Sequence, residues 1–101
     1  MYAKRKDVNH NQIEEVFRRL LADHVTDSSG WAGGAGDLFV SCGFFSIFVE
    51  VKRDSKAAYT AAQVRFQRTH PYSVWRCENI EEAEQQCKKI RSIATLLGSQ
   101  K

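Results

Sequence analysis

Two runs rich in Phe, Val and Ile, residues 37–42 and 45–52, are separated by Gly43 and Phe44 alone. A two-residue connection with Gly at its first central position suits a tight hairpin turn. That spacing sets the register. Cys42 opposes Phe45, Ser41 opposes Ser46, Val40 opposes Ile47, Phe39 opposes Phe48, Leu38 opposes Val49 and Asp37 opposes Glu50. Side chains alternate between the faces of a strand, so Leu38, Val40, Ile47 and Val49 share one aliphatic face. Asp37, Phe39, Phe48, Glu50 and Lys52 share the other. A chain with this hairpin must cover the aliphatic face, and amphipathic helices are the elements it has to do so.

Apolar residues Ile13, Val16, Phe17, Leu20 and Leu21 recur at helical spacing and predict a helix from about Asn9 to His24, with Asn9 or Asn11 as its cap. A loop follows over residues 28–36, holding four of the six glycines, and a short strand over 24–27 fits before it. After the hairpin, residues 54–59 form a polar connector. Thr60 is placed to cap a helix from Ala61 to about Thr69, with Val64 and Phe66 as its apolar positions and Pro71 beyond its end. Residues 72–77 predict a short strand. Asn79 is placed to cap a last helix over 80–97, closed by Gly98 and carrying a stripe of Cys87, Ile90, Ile93, Ala94 and Leu97. The expected fold class is α/β, a small mixed sheet flanked by helices.

The 101 residues suffice for one domain, with residues 1–8 as a basic tail. Apolar residues at 43% and charged residues at 27% are ordinary globular values. The longest apolar run, Phe44 to Val49, is interrupted by Ser46 and too short to span a bilayer, and no secretory signal opens the chain, so a cytoplasmic location and no membrane partner are expected. A net charge of +3 permits a nucleic-acid partner without requiring one. Cys42, Cys77 and Cys87 form no CxxC pair and the three His are scattered, so reduced thiols are expected and a zinc site is not.

The inferred register has a chemical consequence. Asp37 and Glu50 would stand with Cβ atoms roughly 5 Å apart, and like charges directly opposite are destabilising. A divalent cation with oxygen ligands neutralises such a pair, and Lys52 lies on the same face two residues on. Two carboxylates and one ammonium at a sheet end suit phosphate chemistry. The plainer reading is that Glu-x-Lys is a solvent-facing alternation and Asp37 merely starts a strand.

Gly36-Asp37-Leu38-Phe39-Val40 followed by Val49-Glu50-Val51-Lys52 resembles the PD-(D/E)xK nuclease superfamily, and within it the small VRR-NUC-type nucleases of phages and prophages. The resemblance extends to the basic tail, Asn11-Gln12, the glycine loop before Asp37, Thr60-Ala61-Ala62-Gln63, and residues 74–83, and covers roughly residues 5–92. It implies a restriction-endonuclease-like αβββαβ core and hydrolysis of DNA phosphodiester bonds. It implies that Asp37, Glu50 and the Val51 carbonyl bind Mg²⁺ or Mn²⁺, that Lys52 positions or activates water, and that Gln63 supports the site. No small-molecule cofactor is implied. Holliday-junction resolvases share this fold and often pair, so branched DNA and a homodimer are the expected partners. Gly36 stands where the family usually has Pro. The family's acidic residue on the first helix has two candidates here, Glu14 and Glu15, and helical phase does not decide between them; Glu14 is preferred, and a neutral His10 falls near the same place. The alternative function is an inactive nuclease fold that binds nucleic acid or protein.

Other residues fit a DNA path. Arg53, Lys56, Arg65, Arg68 and His70 lie on or before the second helix, Arg76 on the last strand, and Lys4, Arg5 and Lys6 in the tail. A solvated basic face accounts for them equally, and Arg76 has Glu78 beside it as a pairing partner. Trp31, among glycines, is placed either to stack on a base or to sit under its own loop. Trp75 and Tyr72 fit a core or a subunit contact.

Overall fold

The computed structural model describes residues 8–31 and 33–98. The tail cations Lys4, Arg5 and Lys6 lie outside them. Element order is α1 (Val8–Leu21), a 3₁₀ turn (Ala22–His24), β1 (Val25–Asp27), β2 (Leu38–Cys42), β3 (Phe45–Val51), α2 (Ala61–Thr69), β4 (Val74–Cys77) and α3 (Ile80–Gly98). The sheet order is β1-β2-β3-β4, antiparallel except for the parallel β3–β4 pair, whose crossover is α2. This is an α/β domain: one small mixed sheet with three helices around it. No helix among the described residues is long and apolar enough to cross a membrane.

The hairpin forms in the register set by its two-residue turn, from Cys42 opposite Phe45 to Leu38 opposite Val49. Gly43 supplies the positive φ of 62° that the turn needs. The aliphatic face is wholly buried, with Leu38, Val40, Ile47 and Val49 covered by Ile13, Phe17 and Leu21 of α1 and by Ala83, Cys87 and Ile90 of α3. Burial of each such side chain contributes about 1.5–3 kcal/mol. All three cysteines are free thiols, and burial pushes Cys77 up to about 12 and Cys87 to about 11.

Several expectations are corrected. The first helix is already formed at Val8, ahead of Asn9 and Asn11, so neither is its cap. It stops at Leu21, because Ala22 takes a left-handed φ of 49° and the chain tightens into a 3₁₀ turn. In α2 the capping Thr60 behaves as expected, its hydroxyl accepting from the Gln63 N–H at 3.2 Å. The docked face of α2, however, carries Gln63 and Phe66, while Val64 is exposed. Tyr72 precedes β4 rather than joining it and is 94% exposed, which removes it from the core. Asn79 does cap α3, accepting from the Glu82 N–H at 2.8 Å, and the helix runs through Gly98 rather than ending before it.

The glycine loop is closed by Ser28, whose N–H donates to the Asp37 carbonyl at 3.0 Å and whose hydroxyl donates to the Gly36 carbonyl at 2.9 Å. Gly34 lets this loop lie against α2: a Cβ there would fall 2.8 Å from the Ala62 carbonyl carbon and the Gln63 nitrogen, at φ +72°. Gly34→Ala is therefore expected to destabilise the fold by more than about 1 kcal/mol, a fall in Tm of roughly 5 °C or more. Gly30→Ala, with nothing within 4 Å, should leave Tm unchanged; thermal unfolding of the pair checks both.

Candidate functional site

Asp37 and Glu50 meet at the end of the sheet where β2 begins and β3 ends. The hydrophobic alternation of both strands carries them there, and both are buried, 2% and 3% exposed. The Asp37 N–H continues the ladder to the Val49 carbonyl at 2.9 Å, and its Oδ2 accepts from the Val51 N–H at 2.8 Å. Glu50 Oε1 accepts from Gln63 Nε2 at 2.7 Å. Burial above all, and then the charge of Asp37, raise the Glu50 carboxyl to about 7, although Lys52 pulls the other way.

Lys52 follows the last residue of β3 and is still held by β4, its N–H donating to the Cys77 carbonyl at 2.9 Å. Its Nζ donates to Gln63 Oε1 at 3.0 Å and lies 3.4 Å from Glu50 Oε1. Gln63 thus ties carboxylate to ammonium, and its Oε1 also accepts from the Thr60 N–H at 2.9 Å, which completes the helix cap. A capping box normally spends the N3 side chain on its own helix; here the same amide reaches the site.

On the opposite side, α1 settles what helical phase left open. Glu14 is buried and Glu15 is exposed, because His10, Ile13, Glu14 and Phe17 form the docked stripe. His10 Nε2 lies 2.7 Å from Glu14 Oε2 and 3.4 Å from Asp37 Oδ1, and Arg18 Nη2 lies 3.6 Å from Glu14 Oε1. The expectation of a neutral His10 is corrected. The neighbouring carboxylates, Asp37 first and then Glu14, raise it to about 9 against the opposing effect of burial, and so favour the imidazolium.

Tyr59 is a neighbour of this site that the sequence did not signal, since it sits in a polar connector. Lys52 Nζ stands 5.4 Å from its ring centroid and Arg76 Cζ 5.1 Å. Arg76 is bonded to the Glu78 carboxylate and donates to the carbonyls of Asp54 at 2.8 Å and Ala57 at 2.7 Å, so it pins the connector under the site. Arg53, Lys56, Arg65 and Arg68 are exposed. Arg53 lies 3.8 Å from Asp54, while Arg65 and Arg68 sit on the outer face of α2. His70 stacks on Phe66 with centroids 4.3 Å apart.

Among the described residues no three His, Cys, Asp or Glu side chains converge as a ready-made metal cage. The donor set nonetheless fits a hard cation. Mg²⁺ is typically held by one or two carboxylates and keeps several waters, and here two buried carboxylates repel each other, with the Val51 carbonyl beside them in sequence.

The chain was compared with protein-family models, with curated proteins and with solved structures, and none matches.

Proposed function

We propose that this protein is a metal-dependent endodeoxyribonuclease that hydrolyses phosphodiester bonds in branched DNA, with Mg²⁺ or Mn²⁺ as cofactor. The observation that carries this reading is the pair Asp37 and Glu50, buried together at one sheet end with the Lys52 ammonium 3.4 Å from Glu50. Burial first, and then the charge of Asp37, disfavour the ionised Glu50 carboxyl and raise it to about 7. Sites that keep such an arrangement are commonly functional.

In this reading Asp37, Glu50 and the Val51 carbonyl hold the ion, with Glu14 behind Asp37 through His10. The bound ion supplies positive charge against the phosphate oxygens and lowers the pKa of water. The chain's own groups do the rest. Lys52, held by Gln63 and Glu50, orients the attacking water and balances charge that develops on the phosphate. Gln63 keeps Lys52 and Glu50 in a fixed relation, and the Tyr59 ring limits where the Lys52 stem can go. Arg53, Lys56, Arg65 and Arg68 are the cations offered to the DNA backbone. Pairing into a homodimer belongs to the proposal, because a branch point presents two strands and the described residues of one chain hold one such site.

Cleavage of an end-labelled four-way junction and of a flapped duplex, with Mg²⁺ or Mn²⁺ and with EDTA, tests this. Metal-dependent cuts that vanish in EDTA are expected, and symmetric paired cuts on the junction if the chain acts as a dimer. Folded protein that cuts none of these substrates with either metal would favour the second reading, a nucleic-acid- or protein-binding module. The observation on that side is His10, whose imidazolium already lies between Glu14 and Asp37.

A further inference from the structure

On the sheet face that carries Glu50, five rings run in an unbroken series from the glycine loop to the end of α2. Trp31 meets Phe39 at 5.6 Å and Phe48 edge-on at 5.9 Å. Phe39 and Phe48, a cross-strand pair, are 5.0 Å apart, and Phe48 meets Phe66 edge-on at 5.5 Å. His70 stacks on Phe66 at 4.3 Å. The three phenylalanines are half-buried, whereas Trp31 is 47% exposed.

A lone exposed aromatic needs no explanation, but this indole is held. Phe39 and Phe48 support one side of it. The backbone N–H of Trp31 donates to the Ser28 carbonyl at 2.9 Å, and Ser28 closes the loop onto Gly36 and Asp37. Phe48 is two residues before Glu50 on the same face, a step of roughly 7 Å, so the platform adjoins the carboxylates. Phe66 joins the series from the docked face of α2, a helix with no acidic residue. An exposed ring held by other rings is the kind of surface on which an unpaired base stacks.

We propose that Trp31 is a base-stacking platform that takes an unpaired nucleobase next to the phosphodiester being cut; this rests on the nuclease reading of the Asp37–Glu50 site. A base inside a duplex has both faces covered by its neighbours and cannot use such a platform. The preferred substrate is then DNA with unpaired nucleotides at the branch, such as a flap, rather than a fully paired junction.

The chain has two tryptophans, so Trp75→Phe leaves Trp31 as the only indole. That protein is titrated in EDTA and in Ca²⁺ with a labelled single strand, a flapped duplex and a blunt duplex. Trp31 fluorescence and DNA anisotropy are read together. Quenching by the single strand and the flap but not by the blunt duplex is expected. Trp31→Ala should weaken binding to the single strand and the flap about tenfold or more and leave the blunt duplex unaffected, with Trp31→Phe in between. DNA that binds by anisotropy with no quenching, and equally well to Trp31→Ala, overturns the stacking platform and leaves the nuclease reading standing. No binding of any DNA, together with no cleavage in Mg²⁺ or Mn²⁺, overturns both.

Discussion

Lys52→Ala should reduce metal-dependent cleavage a hundredfold or more while changing DNA affinity less than twofold. The Lys52 ammonium is fixed by an amide oxygen 3.0 Å away and a carboxylate oxygen 3.4 Å away, and it stands beside the Tyr59 ring. It is half-buried at the bottom of the site rather than on the exposed surface where Arg65 and Arg68 stand. In the proposed function a group so placed would act on the reacting atoms, where positioned proton donors and acceptors are worth about 10²–10⁴ in rate. In the same proposal the DNA backbone would meet the exposed cations instead. Lys52→Arg should not restore activity, because a planar guanidinium fork does not replace a compact ammonium between Glu50 and Gln63. Cleavage rates under single turnover, set beside anisotropy titrations, separate the two effects. A Lys52→Ala protein that cuts at the wild-type rate would remove Lys52 from the chemistry. One that no longer binds would make it a docking residue.

Glu50→Gln should make the protein more stable above pH 7 and inactive at every pH. In the fold Glu50 holds its proton up to about 7, against 4.5 for the ordinary group. Between those values the unfolded chain releases a proton that the folded chain keeps, so stability falls as pH rises through that window. His10 works in the same direction: its imidazolium persists to about 9 against 6.5. Its contribution is complete below pH 6.5 and is lost as pH rises through 9. The wild-type protein should therefore be more stable near pH 5 than near pH 9. Glutamine at position 50 keeps an oxygen for Gln63 Nε2 and removes the disfavoured charge. Its Tm at pH 8 should exceed that of wild type by roughly 5 °C or more, with little difference at pH 4.5. Millimolar Mg²⁺ should raise the wild-type Tm at pH 8 and leave that of the variant unchanged, as binding to the folded state alone requires. Equal melting points at pH 8 would mean that the Glu50 charge is comfortable in the fold and needs no cation to neutralise it.

The hairpin shows how much a local pattern can carry. Period-two alternation on both sides of a two-residue turn admits one register, and from it follow the buried aliphatic face and the Phe39–Phe48 pair; the expected Asp37–Glu50 pair is not part of the ladder, which ends at Leu38 opposite Val49, and the Asp37 N–H bonds to the Val49 carbonyl instead. Thr60 and Pro71 bounded α2 for equally local reasons: a hydroxyl takes up a free N–H at the start, and proline is ill suited to continuing a helix. The side chains of α2 are a different case. Apolar periodicity put Val64 inward, yet the helix docks with Gln63 and Phe66 toward the sheet, because Gly34 lies against its first turn and Glu50 offers Gln63 a hydrogen bond.

The element order, the hairpin register and the candidate residues Asp37, Glu50 and Lys52 were legible in the sequence, since each rests on a repeat or a turn that neighbouring residues define. Which first-helix carboxylate faces the site, the charge on His10, the contact of Tyr59 with Lys52 and Arg76, and the support of Trp31 by two phenylalanines were decided by tertiary structure. Each depends on how elements distant in the chain dock against the sheet. A helix has several faces of similar local pattern, and a long polar side chain has no partner until another element brings one within reach. Only the packing of α1, α2 and the glycine loop around the sheet end selects among them.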